Sequence, residues 1–532
     1  MIPRLLLAWA FAVSLAVPSL AAHEPPDLRT VAEASGYTRT STSGEVLSLI
    51  DALARASPHA RRHDLGNTHE GRPIAALVIG DEPGSGTRPT VLLFGNIHAG
   101  ECDGKEALLM LAHGLLLDPW GEEVRRRLRV VIVPNYNADG NDRRGPVERH
   151  RPGQNGPAVV GVRENAMGLD LNRDFIKAEA PETRALLRAV REFDARVVVD
   201  AHTTNGSHHR YLVTYDGPRS PANGPTFISN NRGSILPAIA DRFERATGGP
   251  SFVYGTFEGW SPDAGDGRPG FTRWETFPQG ARFGTTYLGL AGRHSVLVES
   301  YAYATYEDRV RGSLAFARAV LDHWAANADT LRERPSRFIT DGDAVIIRSK
   351  PAPREPRIKA AGFDYDIDPD GTRKVTGRTR DYPVEVWDHF EPVLTVSRPE
   401  GYFIMGDRPR VLDALDAHGV PYRTINDGRA FDAEVYRVAE ARPQGRHFQG
   451  HVTVEVDVTP ERRTMAAPAG SVFVPTPAGP DDWSSLLAVY LLEPSCEDGL
   501  TTWNYFDDAL TPGSEFPVVR VLRFNNPPEP ER

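Results

Sequence analysis

Five short runs rich in β-branched residues do most to limit what this chain can become: "AALVIG" (75–80), "TVLLFGN" (90–96), "LRVVIVPN" (128–135), "ARVVVDAH" (195–202) and "HSVLVES" (294–300). Apolar runs without polar alternation belong to strands buried on both faces. Helical periodicity fills the intervals, in "GKEALLMLAHGLL" (104–116), "PETRALLRAVREF" (181–193), "ILPAIADRFERA" (235–246) and "EDRVRGSLAFARAVLDHWA" (307–325). Ahead of them, "SGEVLSLIDALARAS" (43–57) puts Val46, Leu49, Ile50 and Leu53 on one helical face, with Ser41 to Ser43 available as a cap. The alternation predicts an α/β fold, a mixed and mostly parallel sheet flanked by helices.

The texture changes around "ANADTLRERPSRF" (326–338). Beyond it short strand candidates predominate ("DAVIIRS", "PVEVWD", "HVTVEVDV", "GSVFVPT"), with one helix candidate, "RPRVLDALDAHG". This predicts a β-rich C-terminal domain, read as a small sandwich. A chain of 532 residues is too long for one ordinary domain. The expected division is a signal peptide at 1–21, a catalytic domain at 22–330 and the β-rich domain at 338–532. The first segment, "MIPRLLLAWAFAVSLAVPSLAAHEPPDL", has one arginine, an apolar run from Leu5 to Val17 and small residues at Ser19 and Ala21, the pattern of a secretory signal. It predicts a secreted or periplasmic protein. No later stretch reaches membrane-spanning length, so the mature chain is expected to lack an integral membrane segment. A net charge of −10, with acids and bases interspersed, argues against nucleic acid or an anionic membrane as the main partner. Cys102 and Cys496 are too few and too far apart for a disulfide framework, and whether they pair is left open.

Three of the five strand candidates end in groups that bind metals or move protons. "LLFGNIHAGECDG" (92–104) carries His98 and Glu101, the run at 195–202 ends at His202, and the run at 294–300 reaches Glu299. In open α/β sheets, ligands gather beyond the carboxyl ends of the strands, so residues distant in sequence can meet there. Two imidazoles and one carboxylate are a donor set that holds zinc with one position open. Each group alone has a blander reading: H-x-x-E occurs by chance, and a histidine or glutamate after a strand is commonly a cap or an ion-pair partner. His208, His209 and His294 are read as bystanders.

"RENAMGLDLNRDF" (163–175) adds the specific signal. Together with "HAGE", "NADG" (137–140), "VVVDAH" and "VLVE", in this order, it resembles the zinc carboxypeptidases over about residues 40 to 325. The text "RFGTTYLGLAGRHSVLVESYAYATYEDRV" resembles the bacterial secreted branch of that family. The resemblance implies one Zn²⁺ ion per chain held by His98, Glu101 and His202. It implies that Asn172 and Arg173 bind the free C-terminal carboxylate of a peptide substrate. Arg163 would polarise the scissile carbonyl and stabilise its oxyanion, and Glu299 would take a proton from water and return it to the leaving amine. The physics of each role agrees: a guanidinium matches a carboxylate as a planar fork, and a second cation near the metal stabilises charge that develops in the transition state. Asp170 is a candidate partner that fixes the ring of a ligand histidine; the plainer reading is a turn-capping aspartate.

The sequence also departs from the family pattern. Gly100 stands before Glu101, where the digestive members carry a substrate-binding arginine. "TTNGSHH" replaces the usual continuation after His202, and the mobile tyrosine of many members has no secure counterpart, with Tyr287, Tyr301 and Tyr303 as candidates. The resulting expectation is a zinc metallocarboxypeptidase. The alternatives are a related zinc amidohydrolase acting on N-acyl amino acids or cell-wall peptides, and a silent binding protein on the same fold. The aromatic stretch "YLLEPSCEDGLTTWNYFD" (490–507) is read as an interdomain seam or a polymer-binding face.

Overall fold

In the computed structural model, residues 28–80, 88–262, 267–333, 343–426, 428–479 and 483–525 are described. The segment expected to be a signal peptide lies outside them, as do 334–337 between the two expected domains and 338–342 at the start of the β-rich one. Eight strands form the main sheet: β1 (Ala60–Asn67), β2 (Pro73–Ile79), β3 (Thr90–Gly95), β4 (Arg129–Val133), β5 (Ala195–Thr204), β6 (Val213–Asp216), β7 (Ser251–Val253) and β8 (His294–Tyr301). Their spatial order is β1-β2-β4-β3-β5-β8-β6-β7. The centre, β4-β3-β5-β8, is parallel throughout, and antiparallel pairs occur at β1–β2, β2–β4 and β8–β6. Four of the five apolar runs are the central strands, and the run at 75–80 forms β2 beside them. The sequence reading passed over β1, whose "ARRHDLGN" is too polar for a buried strand and sits at the sheet edge, and the short β6 and β7.

Successive residues of each central strand face opposite sides, so both faces must be covered. Val91 and Leu93 join a core with Val46, Leu109, Phe243 and Phe316, from the helices Ser43–Ala56, Asp103–Leu117, Leu236–Thr247 and Tyr306–Ala326. Thr42 caps the first of these in a reciprocal capping box with Glu45. Leu92 and Phe94 face the other way and join a second core with Leu186 of helix Pro181–Glu192. That core continues without a break into Val345, Tyr402, Leu486, Trp503 and Phe506 of the C-terminal half. The aromatic stretch at 490–507 therefore forms part of a buried seam.

The C-terminal half is β-rich, as read from the sequence. Six antiparallel strands lie in the order Arg423–Ile425, Ser471–Pro475, Gly401–Ile404, Glu515–Phe524, Ala430–Phe448 and His451–Ala466. Two helices accompany them, Pro409–His418, expected from its periodicity, and Trp483–Leu492, which is apolar on nearly every side and buried except at Ser484. The hairpin Ala344–Ile367/Arg373–Ser397 belongs to a different sheet. It joins the strands Thr256–Ser261 and Gly270–Glu275, which leave the chain between β7 and β8, through a parallel ladder from Arg273↔Glu385 to Glu275↔Trp387.

Candidate active site

β3 ends in a turn where Asn96 takes a left-handed conformation (φ 64°), its side-chain amide donating to Asn135 Oδ1 (2.7 Å) and Asn141 Oδ1 (3.1 Å). This turn carries His98 to Glu101 and leads into helix Asp103–Leu117. A Cβ on Gly104 would lie 2.7 Å from Ala201 Cβ, so glycine is what lets the helix start lie directly on β5. That approach brings Glu101 to His202, although 101 residues separate them in the chain. The motif "NADG" has a structural role: the Asn137 amide donates to the carbonyls of Ile97 and Arg163 (3.2 Å each), tying the two segments that carry site residues.

One nitrogen or oxygen from each of His98, Glu101 and His202 lies within 4.8 Å of the others, and all three residues are buried. The Glu101 carboxylate sits between the rings, 2.9 Å from His98 Nδ1 and 3.0 Å from His202 Nδ1. The opposite nitrogens face carboxylates, His98 Nε2 at 3.0 Å from Asp170 Oδ1 and His202 Nε2 at 2.8 Å from Asp200 Oδ2. Carboxylates behind both imidazoles fix ring orientation and raise donor strength, the arrangement that metal-binding histidines use. The donor chemistry therefore fits a divalent cation such as zinc. Burial opposes ionisation of Glu101, but the charges of His98 and Arg151 and bonds from both rings outweigh it and hold the carboxyl well below its usual range.

Glu299 is the direct cross-strand partner of His202 in the parallel β8–β5 ladder, which puts both side chains on one face of the sheet. Burial raises its carboxyl to about 8; His202 opposes the rise and Glu101 adds to it. Asp170 opens a short helical turn, Leu171–Arg173, and accepts from Asn172 N (2.9 Å), so it is both a turn cap and the partner of His98. Its second oxygen receives the Arg163 guanidinium at 2.9 Å (Nε) and 2.8 Å (Nη2). Burial works against the charge of Asp170, and His98, Arg163 and Arg173 overcome it. Arg163 extends to within 3.4 Å of Glu101 Oε1. Asn172 accepts from Gly284 N (2.8 Å) through Oδ1, while its Nδ2 lies 3.5 Å from His202 Nε2. The Arg173 guanidinium lies 4.4 Å over the Phe283 ring. Burial lowers its pKa, Asp170 opposes, and Arg163 and Arg282 push the same way as burial.

Residues 46–227 match the family model described as zinc carboxypeptidase. The matched stretch holds the donor triad and the turn bearing Asn172 and Arg173, and with relatives that are carboxypeptidases it supports a peptide hydrolase. More narrowly, the likeness is to the zinc carboxypeptidases, over residues 46–227. Carboxypeptidase 2 of Trichophyton rubrum is 22% identical over 515 residues, spanning 92% of this chain and 87% of the relative. Carboxypeptidase Z of Mus musculus is 33% identical over 129 residues, 23% of this chain and 19% of the relative. Among solved structures, the metallo-carboxypeptidase from Burkholderia cenocepacia is 21% identical, with a TM-score of 0.39, over 53% of this chain and 69% of the other. The relative matched along most of the chain is thus fungal, whereas the sequence texture pointed to a bacterial branch.

All eight residues singled out from the sequence fall in one locality: His98, Glu101, Arg163, Asp170, Asn172, Arg173, His202 and Glu299. Four neighbours escaped the sequence reading. Asp200 was legible in principle, since i and i−2 share a strand face. Arg151 carried no signal; its Nη1 donates to Glu101 Oε1 (2.9 Å) and its Nη2 to Thr203 O (2.7 Å). A Cβ on Gly100 would lie 2.6 Å from Arg151 Cγ, so this arginine fills the space a side chain before Glu101 would take. Tyr254, half-buried, has its hydroxyl pKa raised by burial first and then by the charge of Glu299. Gln449 comes from the C-terminal half. Of the tyrosines considered, Tyr287 is committed to the core through His418 Nδ1 (2.7 Å), and Tyr303 donates to the carbonyls of Asn205 and Gly206. Tyr301 OH lies 3.3 Å from His208 Nδ1. His209 packs on Tyr301, and His294 on Trp324. Cys102 and Cys496 are both free and buried. Among the described residues no helix is long and apolar enough to cross a membrane.

Proposed function

We propose that this chain is a zinc-dependent metallocarboxypeptidase that hydrolyses C-terminal residues from peptides. The observation that carries the reading is the register of Glu299 against His202, which sets a buried carboxyl beside the donor triad. A single zinc ion held by His98, Glu101 and His202 would supply Lewis-acid polarisation and an acidified water, with a pKa of roughly 7. Glu299 takes the proton of the attacking water and passes it to the leaving amine. A dry carboxyl whose pKa is raised by burial suits that exchange near neutral pH. Arg163, aimed by Asp170, donates to the carbonyl oxygen as it gains charge. Asn172 and Arg173 hold the free terminal carboxylate, and the Phe283 ring lies under the Arg173 guanidinium. The mechanism needs no covalent acyl-enzyme.

Support comes from the zinc carboxypeptidase match over 46–227 and from relatives named carboxypeptidases. Export through the segment 1–21, and membership of a bacterial secreted branch, rest on the sequence pattern. The test is hydrolysis of a peptide with a free C-terminus, with and without chelator. Chelator-sensitive release of the last residue is expected. Equal turnover of the C-terminally amidated peptide would overturn the exopeptidase reading, and faster hydrolysis of an N-acyl amino acid than of a longer peptide would favour an amidohydrolase.

A further inference from the structure

The strands Ala430–Phe448 and His451–Ala466 form a long antiparallel hairpin whose last pair is Phe448↔His451. Its loop is the two residues Gln449 and Gly450, with φ values of 53° and 82°. Two positive φ values in a two-residue loop define a type I′ turn, whose first position favours asparagine, aspartate or glycine. Glutamine has no local hydrogen bond to offset the left-handed conformation, so its presence there costs stability. Backbone strain held by a non-glycine residue points to a function that the side chain serves.

The Gln449 side chain leaves the turn and reaches the catalytic half. Its Oε1 accepts from the backbone N–H of Asp170 at 2.7 Å. An N–H donor requires the oxygen, which fixes the orientation of the amide. Asp170 is the residue on which His98, Arg163 and the turn bearing Asn172 and Arg173 all depend. The other bonds to Asp170 described above come from the α/β half, and the bond to Gln449 alone comes from the C-terminal sheet. The hairpin tip is anchored on either side of Gln449. Phe448 stacks with Trp503, and His451 Nε2 lies 3.0 Å from Glu179 Oε2. Glu179 in turn faces Lys177 Nζ at 3.4 Å.

We propose that Gln449 is a positioning residue of the active site, supplied by the C-terminal hairpin, which sets Asp170 and through it Arg163 for transition-state stabilisation. The side-chain length is the specific feature: asparagine suits the turn better but is one methylene too short to reach Asp170. Stability and activity should therefore move in opposite directions.

The inference rests on the role proposed for Arg163, so both are measured in the full-length, zinc-loaded chain on one free-C-terminus peptide. Gln449→Asn is expected to raise or preserve Tm and keep full zinc content. Its kcat should fall about tenfold, the effect of losing one hydrogen bond that matters in the transition state, with KM within about threefold. Gln449→Glu, which keeps an acceptor at the same reach, is expected to recover most of kcat. Wild-type kcat in Gln449→Asn, alongside a strong loss in Arg163→Ala, overturns this inference alone. Wild-type kcat in Arg163→Ala overturns the reading beneath it. A joint fall of Tm, zinc content and kcat in Gln449→Asn would mean that the residue serves folding, and also overturns the proposal.

Discussion

The two halves of the molecule use β-structure in opposite ways. In the α/β half, the central strands are short, parallel and covered on both faces, and the polar groups that matter stand at or just beyond their carboxyl ends. In the C-terminal half the strands pair antiparallel with one another and its two hairpins are long, up to 25 residues in Arg373–Ser397, with many of their residues in water. A parallel sheet gathers distant residues at one edge, so chemistry collects there. Antiparallel hairpins place their turns far from their own core, so they are suited to reach another unit. Here the first half presents the donors and the second reaches in to brace them through Gln449.

If that contrast holds, substitutions at the strand ends should abolish chemistry, and those in the bracing region should modulate it. The largest effect is expected for Glu299→Gln, which removes the proton carrier and keeps its shape: kcat should fall about 10³- to 10⁴-fold in peptide hydrolysis, with Tm little changed. Chelation should remove activity as completely, and zinc should restore it; activity that survives exhaustive chelation would break the comparison at its root. Arg163→Ala should lower kcat about 10²- to 10³-fold, whereas Arg173→Ala should act mainly on KM. A next step down is Asp200→Asn, behind the His202 ring, expected to weaken zinc affinity about 10- to 100-fold by titration against a competing chelator.

The smallest effect should come from the brace. Burial raises Glu179, but the bond from His451 and the charge of Lys177 prevail and hold it at about 2, against 4.5 for a free carboxyl. A depressed folded-state pKa contributes stability that is complete above 4.5 and lost as pH falls toward 2. Tm should therefore decline across that window, and Glu179→Gln should flatten the decline. Near neutral pH the substitution should lower Tm by about 1 °C, what about 1 kcal/mol does in a chain of 532 residues. A Tm loss several-fold larger would mean that the C-terminal half carries more of the fold than the contrast allows.

The readability of the sequence follows the same division. The central strands and the donors at their ends were legible because burial on both faces forces uninterrupted apolar runs, and ligands must sit where those runs stop. Asp170 was legible as a partner through "DLNR". Arg151 and Gln449 were not. Each reaches the site from a segment with no periodicity of its own, and only three-dimensional proximity reveals it. Tyr254 was hidden by brevity, since β7 spans only Ser251–Val253. Helix Trp483–Leu492 was missed because a helix apolar on nearly every side shows little periodicity.

The ladder between 273–275 and 385–387 carries a further consequence. Main-chain hydrogen bonds and one continuous apolar interior cross from the first half to the second, so neither has a finished surface alone. Cutting the chain near residue 340 would bare a sheet edge and an oily seam on both pieces, and each would be prone to clump. The C-terminal half is thus no interchangeable attachment: it shares a sheet and an apolar interior with the half it completes.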